Sequence, residues 1–375
     1  MDTRADILPL NTAPRLERLE VLLRTLGHVG IGFSGGVDST FLAAVCARCL
    51  PPRHVTLIHL DTPLIGTPER EAFAQSRARF EAQGIRVIEV AANPLACDTV
   101  AANTPERCYH CKKFGFGLVL KAARAVGCNT VLDGSNADDR DDYRPGMRAV
   151  DELGIRSPLM ETDWHKGDER ALLRAWGFDV WDLPAGACLA TRIPCGEALT
   201  AEKLHAARMC EDYLHDLGLR QVRVRLDRGV AHVSIGADEL DSLPRSNELP
   251  GGRALPQSII DEIEKRGVSK ADPLYGPIFM ERETGGTKGP SRLTSPSAHE
   301  PRRQVFIRPN VRVRTAPTSS LGCYRWREPR FENTPIPSTT MEADAVVMAI
   351  KAGSPVAGSG SAWESGASAP ACPPP

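Results

Sequence analysis

Apolar positions in the first half of the chain fall into short β-like runs separated by longer stretches of helical character. The runs lie at 28–33 (HVGIGF), 54–61 (HVTLIHLD), 86–90 (RVIEV) and 130–133 (TVLD). Strand-length runs alternating with helices predict an α/β fold built on a doubly wound parallel sheet. Helix punctuation agrees. Thr67-Pro68 supplies a cap residue followed by proline at the first helical position, and the helix EREAFAQSRARFEAQ runs to a terminating Gly84. Gly127 ends the helix that carries Cys111 in the same way.

After Pro184 the pattern changes to a loop, a helix at 200–217, two strands (QVRVRLD and AHVSIG) and a helix at 256–265, which predicts a small α+β domain. From residue 271 the chain is rich in Pro, Ser, Gly and Thr, as in SPSAHEPRR and GSPVAGSGSAWESGASAPACPPP, and is expected to be disordered. The expected organisation is an α/β domain at 10–190, the small α+β domain at 197–270 and a low-complexity tail at 271–375.

Composition narrows the class. The chain has 375 residues, 42% hydrophobic and 25% charged, which suits a soluble globular protein. Forty-six basic against forty-seven acidic residues give a net charge of -1, so the whole molecule has no general attraction to nucleic acid or to an anionic membrane. The opening MDTRADILPL lacks a signal-peptide pattern and no long apolar run follows, so the expected location is the cytoplasm. Eleven cysteines are then expected as reduced thiols, a few of them reactive or ligating. Cys46, Cys49, Cys97, Cys128, Cys195 and Cys210 carry no motif and read as packing or surface residues.

The stretch SGGVDST follows the first strand. The Ser34 hydroxyl, the amides of Gly35 and Gly36 and the start of the next helix can converge on one anion, because glycine tolerates the left-handed backbone that such a nest needs. A Walker loop would place lysine near its end, whereas this loop has Asp38 followed by Ser39. A phosphate cradle without its own lysine favours a reaction that expels pyrophosphate over phosphoryl transfer.

Three more stretches carry candidate chemistry. LDGSNADD, with Asp133, Gly134 and Asn136, ends the fourth strand, where doubly wound sheets meet their ligands; a solvated Asx turn is the bland alternative. RCYHCK holds Cys108 and Cys111 in CxxC spacing, and ACLATR adds Cys188 and Arg192. Three cysteines suit a four-iron cubane with one iron free of protein ligands, or a zinc ion completed by His110 or a distant side chain, or simple packing. VRVR places Arg223 and Arg225 on one strand face, fit for a phosphate or carboxylate, or for solvent.

SGGVDST resembles the loop of the PP-loop ATP pyrophosphatases, of the adenine nucleotide alpha hydrolase-like fold. LDGSNADD with the following DYRPG, together with RCYHCK and ACLATR, resembles the LarE family of ATP-dependent sulfur transferases, over roughly residues 10–268. The resemblance implies ATP and Mg²⁺ as cofactors. It also implies adenylation of a carboxylate of pyridinium-3,5-biscarboxylic acid mononucleotide and its conversion to a thiocarboxylate for the nickel-pincer nucleotide cofactor. Ser34, Gly35, Gly36, Asp38, Ser39, Asp133, Gly134 and Asn136 would bind ATP, and Arg192, Arg223 and Arg225 the substrate.

In the sacrificial version of the family Cys188 is nucleophile and sulfur donor, with Lys112 or Arg192 as candidates to lower its pKa, and ends as dehydroalanine. Members with all three cysteines are expected to carry a [4Fe-4S] cluster on Cys108, Cys111 and Cys188, and that is the version expected here. Homo-oligomers are expected, with no nucleic-acid or membrane partner. The chain departs from the family pattern at KADPLYGPIFMERETGG, which does not continue the closing strand, so the small domain is expected to be incomplete. Other readings are a tRNA thiolase, an amide-forming ligase like NAD or GMP synthetase, and a non-enzymatic nucleotide-binding module.

Overall fold

A computed structural model describes residues 12–140, 145–243 and 253–278, all within one of the two units of the chain. Helix α1 (Ala13–Arg24) leads into β1 (Val29–Gly32), α2 (Val37–Cys49), β2 (Val55–Asp61), α3 (Thr67–Ala82) and β3 (Arg86–Ala91). A short α4 (Asp98–Ala101) precedes the long α5 (Arg107–Ala125) and β4 (Thr130–Leu132). Three more helices, α6 (Pro145–Glu152), α7 (Pro158–Glu161) and α8 (Lys166–Ala175), complete the first half.

The four strands pair in parallel in the order β3-β2-β1-β4. The chain therefore reverses its direction of sheet growth between β1 and β4, and loops leaving the carboxyl ends of those two strands face one crevice. β1 and β2 are almost wholly buried and read as apolar runs because helices cover both faces. Helix α2 is buried from Val37 to Cys46 apart from Asp38, and it packs with α1 through Leu16, Leu19 and Leu23. Phe33, Phe41, Phe80 and Trp164 fill the centre of this layer. Cys46 and Cys210 are buried and Cys195 is exposed, in keeping with packing or surface roles, whereas buried Cys97 is disulfide-bonded and not the reduced thiol expected.

The second core belongs to α9 (Ala201–Asp216), β5 (Val222–Asp227), β6 (Val230–Ile235), α10 (Gln257–Glu264) and β7 (Lys270–Pro277), with sheet order β5-β6-β7. Thr200 caps α9 by accepting the Lys203 amide at 3.3 Å. β5 and β6 form a hairpin across Arg228 and Gly229, both left-handed at φ 50° and 82°, the backbone that a two-residue hairpin turn requires.

Two expectations need correction. The small domain does not stop at 270, because β7 pairs in parallel with β6 and buries Ala271 and Tyr275. Pro273, Gly276 and Pro277 hide the strand pattern in the sequence, yet an edge strand with a register shift accommodates them. Gly66, not Thr67, is the N-cap of α3, and Thr67 is its first residue. The segment 142–144 and the remainder of the tail from 279 lie outside the described residues. Among the described residues no helix is long and apolar enough to cross a membrane.

Candidate active site

The loop after β1 is fixed by contacts that only glycine permits. Gly35 has φ +81°, and a Cβ there would stand 2.5 Å from the Cα of Phe73 on α3. The Gly36 amide donates to Ser34 Oγ at 3.3 Å, the Ser34 and Ser39 hydroxyl oxygens lie 3.0 Å apart, and Ser39 Oγ donates back to Gly36 O at 3.3 Å. Two hydroxyls and the first turn of the thirteen-residue α2 thus share one concavity, where the unpaired amides of a helix start favour an anion.

The loop after β4 closes the other side. A Cβ on Gly134 would lie 3.0 Å from the Ser39 amide nitrogen, so the two glycine-bearing motifs are in backbone contact. Asp133 is buried and its oxygens are engaged: Ser157 Oγ donates at 2.6 Å, Ser135 Oγ at 2.6 Å, and Lys112 Nζ lies at 3.0 Å. Asn136 accepts the Asp138 amide at 3.1 Å and its own amide donates to Asp139 at 3.0 Å, a reciprocal cap that rigidifies the turn. Asp133 and Asn136 therefore hold the shape of the crevice wall.

A cation missing from the loop itself comes from elsewhere in the fold. Lys166, at the start of α8, places Nζ 3.2 Å from Asp38 Oδ2. One turn on, Glu169 is fully buried, and neither of its oxygens nor Asp38 Oδ1 has a hydrogen bond of ordinary geometry. Burial and the neighbouring Asp38 push the Glu169 carboxyl up to about 9, against weaker opposing effects of Asn136 and Lys166. His165 and the Lys166 amide bind Asp138, at 2.6 and 2.9 Å, and hold its carboxyl below the usual range, the His165 bond being the larger cause.

The cysteines meet on the far side of α5. Cys108 and Cys111 sit in its first two turns, three residues apart and so on one face. Burial, then Cys188 and Cys108, push the Cys111 thiol up to about 12. Cys188 is exposed to solvent, but the protein packed around its sulfur still raises the thiol, with Arg107 the largest opposing influence. Arg107 donates to Asn103 Oδ1 at 2.5 Å, to Ala190 O at 3.2 Å and to Cys108 Sγ at 3.5 Å. Buried Asn103, left-handed at φ 53°, donates through its amide to the carbonyls of Ile193, Pro194 and Glu197 at 3.2, 2.8 and 3.0 Å. This pair ties the Cys188 loop to the CxxC helix. Among the described residues no group of three or more His, Cys, Asp or Glu side chains is arranged to hold a metal ion.

Neither sequence candidate for tuning Cys188 has its charge free. Lys112 is paired with Asp133, and Arg192 makes a two-pronged bond to Glu211 at 2.6 and 3.0 Å, with both side chains only 7% exposed. Arg107 is the larger cation opposing the raised Cys188 thiol, and Arg192 still lowers it more weakly, whereas Lys112 has no such effect. Arg192 Nη1 also donates to Ala187 O at 3.0 Å, which braces the segment leading to Cys188. β5 alternates buried and half-buried positions, so Arg223 and Arg225 share the open face while Val222, Val224 and Leu226 enter the core. Arg223, Arg192 and Arg220 line an open cleft of about 440 Å³ between the start of α3 and β5, bordered by Gly186 and Ala187. Arg225 does not line it.

No protein-family model matches the chain. Over 223 residues it is 32% identical to the pyridinium-3,5-bisthiocarboxylic acid mononucleotide synthase of Lactiplantibacillus plantarum, covering 60% of this chain and 80% of that one. The chain belongs to the LarE family. It is also 38% identical over 235 residues to an uncharacterized protein of Synechocystis, with 63% and 86% covered. An uncharacterized protein of Methanocaldococcus jannaschii matches at 27% over 218 residues, with 58% and 81% covered. Within the LarE-family fold, Asn103, Arg107, Lys166 and Glu169 were not singled out from sequence. Arg107 adjoins the CxxC and was legible there, whereas Lys166 and Glu169 reach the loop only through the packing of α8 on α2.

Proposed function

We propose that the protein is an ATP-dependent sulfur transferase that adenylates a carboxylate of pyridinium-3,5-biscarboxylic acid mononucleotide and converts it to a thiocarboxylate, a step toward a nickel-pincer nucleotide cofactor. The observation that carries the reading is the backbone contact of the Ser34–Ser39 loop with Gly134 at the sheet's switch point, together with a cleft lined by the segment leading to Cys188. The named relative from Lactiplantibacillus plantarum supports the substrate class.

In this reading the nest formed by Ser34, Gly35, Gly36 and Ser39 holds the β- and γ-phosphates of ATP, with Lys166 and Mg²⁺ offsetting their charge. A substrate carboxylate oxygen attacks the α-phosphorus, the bond to the β-phosphate oxygen breaks, and pyrophosphate leaves. Sulfur then attacks the acyl carbon and AMP departs. Arg223 on the cleft wall is suited to the substrate's anionic groups. Arg225, on the same strand face, is a second candidate for them.

The sulfur source is read from the thiols. Three cysteine sulfurs within electrostatic reach of one another would have to draw closer to serve a [4Fe-4S] cluster, which when bound would supply an iron without a protein ligand able to carry an extra sulfide. Cys108, Cys111 and Cys188 would hold it, and Arg107 would offset its negative charge. The second reading rests on the exposure of Cys188: its own thiolate attacks, and loss of the Cα proton then breaks Cβ–S, leaving dehydroalanine.

The test is anaerobic purification followed by one round of reaction. Iron-sulfur absorption that disappears in each of C108S, C111S and C188S, with Cys188 intact after turnover, supports the cluster. Colourless protein with Cys188 lighter by one H₂S supports the sacrificial route. Thiocarboxylate absent from both preparations overturns the proposal.

A further inference from the structure

Glu169 is a fully buried carboxyl beside the proposed phosphate nest, and the mechanism above gives it no role. Three carboxylate oxygens meet there without hydrogen bonds of ordinary geometry: both of Glu169 and Oδ1 of Asp38. Lys166 engages only the other Asp38 oxygen, at 3.2 Å. Asn136 borders the pair: its side-chain oxygen is committed to the Asp138 amide, and its side-chain nitrogen is a weak donor toward Glu169, outweighed by burial and by Asp38.

A buried charge persists only where something compensates it. A proton shared between the two acids satisfies two oxygens at most. It also leaves the difficulty that a polyphosphate in the nest would bring further negative charge against Asp38, with one lysine to offset it. A divalent cation resolves both problems. Mg²⁺ is commonly held by one or two carboxylates together with substrate phosphates, not by an all-protein cage, so two acids without a third are a sufficient protein share. The same principle fits the absence of any three-residue metal group among the described residues.

Resting on the proposed ATP site, we infer that Asp38 and Glu169 are the protein ligands of a divalent cation that enters with the nucleotide, Asp38 from the first turn of α2 and Glu169 from α8. The site would couple α8 to the loop: the metal and its phosphates draw the two helices together, and Lys166 neutralises the flank. Glu169 is thereby a ligand for the metal half of Mg–ATP and not a packing residue that happens to be acidic.

The test uses full-length protein, Mn²⁺ as the probe and α,β-methylene ATP, which cannot release pyrophosphate. Free Mn²⁺ is read by electron paramagnetic resonance, and metal-free binding of the analogue by equilibrium dialysis. The expected result is that Mn²⁺ binds wild type more tightly with the analogue present, and that E169Q weakens that affinity roughly tenfold or more, the least a direct ligand should cost. Metal-free analogue binding should change little in E169Q, and E169D, which keeps the charge on a shorter stem, should recover part of the loss. E169Q is isosteric with the protonated acid, so a Glu169 that only shares a proton would leave Mn²⁺ binding within twofold of wild type, which overturns the inference. Failure of wild type to bind the analogue with or without metal overturns the ATP reading instead, and the inference falls with it.

Discussion

Lys112 Nζ lies 3.0 Å from Asp133 Oδ2, joining the helix that carries Cys108 and Cys111 to the loop at the end of β4. The side chain of Asp133 is 4% exposed and that of Lys112 29%. The thiol end of the crevice and the end proposed for the nucleotide are therefore linked by this ion pair, anchored on the buried side by Ser135 and Ser157.

Lys112→Met should leave the Asp133 carboxylate with only neutral partners, the Ser135 and Ser157 hydroxyls and the Ser135 amide. Loss of one member of a buried pair costs about 3–5 kcal/mol, and the partial exposure of Lys112 reduces this to roughly 1–3 kcal/mol. Urea denaturation should show the lower midpoint at an unchanged slope, and ATP affinity should fall with it. An unchanged midpoint would show that the pair does not hold the loop.

Gly35→Ala should abolish nucleotide binding. The left-handed backbone alone costs of order 1–3 kcal/mol for a residue with a Cβ, and the approach to Phe73 backbone atoms cannot be relieved by a side-chain rotation. Calorimetric titration of the folded variant with ATP checks this, and wild-type affinity would contradict the geometry of the nest.

Glu169 makes stability depend on pH. Its folded pKa lies at about 9, above the ordinary carboxyl value of 4.5, so the folded state keeps a proton that the unfolded chain releases. This contribution is fully present below about pH 4.5 and is lost as pH rises through about 9. Metal-free protein should lose stability progressively across that window, and E169Q should flatten the slope. Thermal unfolding at several pH values measures both, and equal slopes in the two proteins would contradict the assigned burial.

Thiol reactivity should rank by surroundings. In reduced, metal-free protein at pH 8, exposed Cys195 should alkylate fastest, with buried Cys46 and half-buried Cys111, the latter pushed up to about 12, among the slowest. Arg107→Gln removes the cation that most opposes the raised pKa of Cys188, so alkylation of Cys188 should slow severalfold. Peptide mass spectrometry over time gives each rate. A faster Cys188 in the variant would assign the effect to another group.

The parallel sheet was legible because each strand is an apolar run bounded by turn residues, and the two glycine motifs could be placed at the ends of the first and fourth strands, whereas the pairing of those strands with each other is a property of the fold. The alternation of Arg223 and Arg225 with buried valines was equally plain, since a period of two needs no tertiary information. β7 escaped because Pro273 and Pro277 argue against a strand unless its edge position is known. Lys166 and Glu169 escaped for a different reason. They lie more than a hundred residues from the loop they meet, and only the packing of α8 against α2 brings a lysine back to a glycine loop that has none of its own.

The most direct measurement of the central claim is the nucleotide product formed when purified protein is incubated with pyridinium-3,5-biscarboxylic acid mononucleotide, ATP and Mg²⁺. The account predicts AMP and pyrophosphate in step with thiocarboxylate. ADP and orthophosphate as the products, or thiocarboxylate formed without ATP, would contradict it.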